Sequence, residues 1–173
     1  MKDLQDANVR IGWFESSKYP DEAQTPVAYV AAINELGPHA RPFMKPTADA
    51  RDREWADLML NLARQIVKGR MTVEDGLTAL GLQVGADIQY TIAHITAPEL
   101  SLITLLARKA RLEGEKVTGA TIGQFAARVK ADADKVRQEV SGISDKPLNE
   151  TGYMLATTSF SVNMGDAQPV KDE

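Results

Sequence analysis

Three prolines within nine residues, at positions 38, 42 and 46, constrain this chain more than any other feature. Each locks its own φ and pushes the residue before it out of the helical region. Upstream, Val27, Val30, Ala31, Ile33 and Leu36 recur at helical spacing, and Gly37-Pro38 is a stop signal, so a first helix is predicted to end near Leu36. Ala40 to Lys45 should then cross the surface as a stiff strap, pinned to the core by Phe43 and Met44. Thr47, with Asp49 in the first turn behind it, reads as the cap of a second helix running to about Lys68.

Ahead of this elbow, Val9, Ile11 and Trp13 alternate with the period of a half-buried strand, which spans 9–15. Residues 16–25 lack either period and read as a loop, with Thr25-Pro26 as cap and first residue of the first helix. In the second helix, Trp55, Leu58, Met59, Leu62, Ile66 and Val67 mark one apolar face, opposed by Arg51, Arg53, Asp57 and Arg64. Gly69 ends it. Thr72 with Asp75 three residues on resembles a capping box that opens a third helix reaching about Ile95. Gly81 and Gly85, four apart on that helix, would let another backbone approach closely.

Pro98 breaks the pattern, and a short apolar and basic helix follows from Leu102 to Arg111. Residues 122–140 form another helix with a thin apolar stripe of Ile122, Phe125, Val129, Val136 and Val140 amid dense charge. It reads either as a cover over one edge of the core or as an arm against a neighbouring subunit. Thr158, Phe160 and Val162 alternate on one face of a second strand. Residues 164–173 have no periodicity and read as a mobile tail. The predicted fold is therefore α+β: two long helices packed on a small, mostly antiparallel sheet. Residues 1–163 form one domain, with 113–144 as a helical insertion.

Composition removes several function classes. The 173 residues include no cysteine, so disulfides, thiolate nucleophiles and cysteine zinc sites are absent. A formal charge of −4 argues against a protein that wraps the nucleic-acid backbone. No apolar run approaches a membrane span, and the chain reads as soluble. His39 and His94 lack ligand company. Asp21 with Glu22, and Asp49 with Asp52, are solubilising or dipole-compensating pairs rather than acid-base machinery. No phosphate-cradling loop, nucleophile elbow or metalloprotease helix motif occurs. Neither catalytic residue nor cofactor nor metal is assigned, and an enzyme is not expected.

Asn34-Glu35-Leu36-Gly37 followed by Ala40-Arg41-Pro42-Phe43-Met44-Lys45-Pro46 resembles the "NEFG…PARPFMRPA" signature of neck and tail-completion proteins of tailed bacteriophages. Thr96 to Lys109, TAPELSLITLLARK, is similar to the family's "APPLSPxTxxRK". Lys146 to Val162, KPLNETGYMLATTSFSV, resembles its "KPLIDTGRLLNSISYxV". Glu99 and Leu102 stand where proline is usual, Asn149-Glu150 replaces Ile-Asp, and Tyr153 replaces a basic residue. Relative to that pattern, Leu112 to Asp145 is an insertion.

The resemblance implies a structural virion protein, made in the host cytoplasm and located at the head–tail junction. It would join the head-side connector to the tail tube or terminator as a ring of identical copies, a hexamer or dodecamer, around passing DNA. The alternative is a non-enzymatic module, a host regulator or inhibitor, binding protein through the charged helix 122–140. Glu35, Arg41, Pro42 and Phe43 are the candidate strap residues. Arg41 could clamp a carboxylate at a subunit boundary, or cap carbonyls or pair with Glu35 within its own chain. Arg108, Lys109 and Arg111 are candidate weak contacts to DNA backbone or salt bridges between subunits.

Overall fold

The structure, a computed structural model, describes residues 7–20, 23–148 and 150–164. The elements are β1 (Asn8–Gly12), α1 (Val27–Leu36), α2 (Met44–Val67), α3 (Val73–His94), α4 (Leu102–Leu112), α5 (Gly119–Ala131), α6 (Ala133–Glu139), α7 (Tyr153–Ala156) and β2 (Ser159–Asn163). This is the expected α+β fold: two long helices, α2 and α3, and a two-stranded antiparallel sheet. The chain divides into two compact units, residues 1–92 with 153–173, and residues 93–152.

In the first unit β1 and β2 pair from Asn8 with Asn163 to Gly12 with Ser159. Val9 and Ile11 on one strand, Phe160 and Val162 on the other, are partly buried while Asn8, Arg10, Ser159, Ser161 and Asn163 between and beside them are exposed, which is the expected alternation; Gly12, at the end of β1, is buried. A two-stranded sheet is marginal alone; here it lies on α3, where a Cβ placed on Gly81 would come within 2.6 Å of the Phe160 ring and 3.1 Å of Val9. The glycine pair thus works asymmetrically. Gly81 admits side chains of the sheet, while Gly85 faces open space. Val27, Phe43, Leu80, Val84, Ile88, Ile92 and Met154 form the buried core. Trp13 stacks edge-on against Phe43, with ring centroids 5.6 Å apart, and donates its indole N–H to the Met154 carbonyl at 2.8 Å.

Several boundaries differ from the expected ones. α2 begins at Met44, so the extended strap is shorter than predicted, and Thr47 lies inside the helix. Its hydroxyl donates back to the Phe43 carbonyl at 2.5 Å and lies 2.6 Å from the Thr91 hydroxyl of α3. Pro26, not Thr25, occupies the cap of α1, and no side chain caps it. At the other end of α2, Gly69 at φ +66° donates to Ile66 O and Arg70 to Gln65 O, the paired bonds that close a helix in a left-handed residue. Met59 and Val67, expected on the buried face, are exposed; that face is Trp55, Leu58, Leu62 and Ile66.

The second unit has a core of its own. Leu106, Ala107 and Ala110 of α4 pack with Phe125 of α5, Val136 of α6 and Val140. The helix expected over 122–140 is two, because Asp132, at φ −157° and ψ 89°, ends α5 and caps α6 by accepting from Lys135 N at 2.9 Å. Thr118 opens α5 three residues earlier than expected, with its hydroxyl and that of Thr121 forming a reciprocal capping box. The stretch 113–144, expected as an insertion or arm on a single domain, therefore supplies half of a separate core. Except for Met164, the tail expected over 164–173 lies outside the described residues.

Candidate functional site

The elbow between α1 and α2 is organised by one carboxylate. Glu35 Oε2 accepts from the backbone N–H of Phe43 at 2.8 Å and of Met44 at 2.9 Å, and Oε1 accepts from Lys45 at 2.9 Å. The next residue, Pro46, has no N–H to satisfy, and Thr47 N donates to Phe43 O at 3.2 Å. Every orphan donor at the start of α2 is thereby accounted for. A negative charge also suits this end of the helix dipole. This is why α2 starts four residues earlier than a helix capped by Thr47 would: the capping group comes from the preceding helix, eight residues away in sequence.

The remaining strap residues take up different tasks. Phe43 is fully buried. Arg41 is half-buried, and its backbone N–H donates to Asn34 O at 2.6 Å, folding the strap back on α1. Pro42 is exposed. Glu35 is thus committed to backbone rather than available as the charge partner of a neighbouring molecule.

A second joint holds the other unit together. Arg108, expected as a surface cation, is 4% exposed. Its Nη1 donates to the carbonyls of Ser144 at 2.7 Å and Lys146 at 2.9 Å, and Nη2 to Pro147 at 3.1 Å. Its Nε lies 3.6 Å from the Glu150 carboxylate, which also pairs with Arg111. The planar guanidinium fork is suited to gathering several oxygens at once. Lys109 reaches Glu139 at 3.0 Å and Glu113 at 3.6 Å, and Arg128 also binds Glu139. The hydrogen bond from Lys109, reinforced by Arg128, holds the Glu139 carboxyl below its usual range, and the Lys109 ammonium is raised in turn by Glu139. The three basic residues therefore clasp their own unit: Arg108 is buried, and Lys109 and Arg111 are ion-paired within the chain.

Among the described residues no group of three or more His, Cys, Asp or Glu is placed to hold a metal ion. Among the described residues no helix is long and apolar enough to cross a membrane. A hollow of about 310 Å³ beside α1 is lined by Ile11, Trp13, Ala28, Ala32, Leu36 and Phe43. The outer face of α1 itself, Ala28, Tyr29, Ala32, Ile33 and Leu36, is exposed and carries no charge.

Sequence reasoning missed Thr91 as the partner of Thr47, and Asp87, which accepts from the Trp55 indole of α2 at 2.8 Å and from Gln83 at 3.2 Å. Each is a polar residue on the apolar side of its helix, and that placement was the available signal. Comparison of the chain with protein-family models, curated proteins and solved structures finds no match.

Proposed function

We propose that the chain is a structural protein of the neck of a tailed bacteriophage, a non-enzymatic subunit that joins the head connector to the tail as a closed ring of identical copies around the DNA channel. One observation carries the reading: the segments that resemble the neck-protein signature are the same segments that build the two internal joints. Asn34 to Lys45 forms the Glu35 elbow, and the Ala107 to Lys109 and Lys146 to Glu150 matches are bound to each other through Arg108. Residues shared for their role in shaping the backbone support a resemblance at the level of the fold rather than of isolated words. The uncharged outer face of α1 suits a contact between neighbouring copies in such a ring, where large apolar patches are covered. With Arg108, Lys109 and Arg111 satisfied internally and a net charge of −4, passing DNA meets little that would hold it, as a conduit requires.

Antibody labelling or electron microscopy of the virion tests the reading. Density or label at the head–tail junction is the expected result. Placement elsewhere in the particle, or absence from it, overturns it.

A further inference from the structure

The side of α2 turned away from the core carries a second apolar stripe. Ala56, Met59, Leu60, Ala63 and Val67 are all exposed, the three large ones by 53%, 49% and 82%. Ala56, Leu60, Ala63 and Val67 are spaced four, three and four apart, the alternation of a coiled-coil seam. A helix that is apolar on two faces has one face awaiting a partner. The first half of the same outer side is polar, with Lys45, Asp49, Asp52 and Arg53 exposed, so the seam is confined to the last three turns.

The charges beside the seam specify the partner. Asp57 and Arg64 stand one heptad apart on the same flank, and neither makes an ion pair among the described residues. When two copies of this seam pack antiparallel, Leu60 falls opposite Ala63 of the second copy and Ala56 opposite Val67. Flank positions of the same kind then face each other, so Asp57 meets Arg64 of the second copy, and Arg64 meets its Asp57. Large residues oppose small ones in each layer, and both charge pairs are attractive. A parallel pairing brings neither charge opposite the other.

We infer that the outer face of α2 is a self-recognition surface, through which two copies of this chain pair antiparallel about a two-fold axis, with Asp57 and Arg64 setting the direction. A two-fold contact closes on two copies and cannot propagate a ring. The surface is therefore separate from any contact that joins subunits in the proposed neck, and its test is independent of that reading. A three-turn seam is smaller than a standard interface of roughly 1,600 Å², so the pair is expected to be weaker than about micromolar.

Sedimentation equilibrium of the full chain over a concentration series, from micromolar to roughly millimolar, tests this. The wild-type mass should rise from 18.9 kDa toward twice that value. Asp57→Arg alone and Arg64→Asp alone each turn both attractive pairs into repulsive ones and should weaken association by about tenfold or more. The double exchange D57R/R64D, or an equimolar mixture of the two single variants, restores opposite charges at both contacts and should recover it. Leu60→Lys places a charge in the seam and should abolish it. Because all these positions are exposed, circular dichroism should show wild-type helix content in each variant. A wild-type chain that stays monomeric throughout, single variants that associate like wild type, a mixture that recovers nothing, or association that survives L60K would each overturn the inference.

Discussion

Phe43 and Glu35 work as one device at the scale of single residues. The ring is fully buried against Trp13, while the backbone N–H of the same residue is held by the carboxylate of Glu35. Phe43→Ala should therefore cost about 3–5 kcal/mol in denaturant unfolding; a loss below about 1 kcal/mol would mean that the ring contributes no burial. The burial was legible in outline, because an aromatic residue between prolines has few ways to be satisfied except by burial; the hold of Glu35 on the Phe43 backbone was not, since its carboxylate reads from the sequence as a partner for Arg41. Nor was the role of Arg108. Its position in a basic run suggested solvent, and nothing local announces that the carbonyls of Ser144, Lys146 and Pro147, some forty residues on, turn toward it. Glu139 gives a pH dependence. Its carboxyl is held low by Lys109 and Arg128 in the folded chain, so the stabilisation is fully present above the ordinary carboxylate range, about pH 4.3. It is lost as pH falls through the depressed folded value. Lys109, raised by the same contact, contributes fully below the ordinary lysine range and loses its share as pH rises through its raised value. Acid unfolding profiles of wild type and Glu139→Gln should accordingly stay separated above about pH 4.3 and converge only as pH falls below the depressed folded value.

The elements show where local signals suffice. α1 occupies the span that its apolar spacing and Gly37-Pro38 predict, and Gly69 closes α2 as expected. The start of α2 was misplaced and the break at Asp132 missed, each because of a cap that helical spacing does not register. In the first case the capping group arrives from another helix. In the second, Asp132 is both the end of one helix and the cap of the next, a double role that helical periodicity passes over. Gly81 and Gly85 look identical in sequence but should separate by mutation. Gly81→Ala drives a methyl into Phe160 and should cost about 1–3 kcal/mol by overpacking. Gly85→Ala meets nothing within 4 Å and should stabilise by roughly 0.5–1 kcal/mol through helix propensity. Thermal unfolding of the two variants checks both signs.

At the scale of the whole molecule, the stretch 113–144 has become part of a core rather than an accessory. Replacing it with a short Gly/Ser linker removes Phe125, Val136 and Val140 from their packing on Leu106, Ala107 and Ala110. The expected product keeps α2 and α3 ordered while α4 loses its hydrogen-exchange protection; retained protection of α4 would return 113–144 to the status of an arm. The division into two units was hidden from the sequence because a thin stripe on a charged helix looks the same whether it covers a large core or completes a small one. That division also has a consequence for synthesis. β1 finds its only strand partner among the described residues in β2, near the other end of the chain, and residues 93–152 are made between α3 and that partner. At about 5–20 residues per second, a ribosome needs roughly 3–12 s to cross that interval. During this delay the nascent chain carries β1, α1, α2 and α3 with one strand still missing, while the intervening unit already holds all that its own core requires. Translation thus imposes an order that the contacts alone do not: the middle of the chain can settle first, and the beginning must wait for the end.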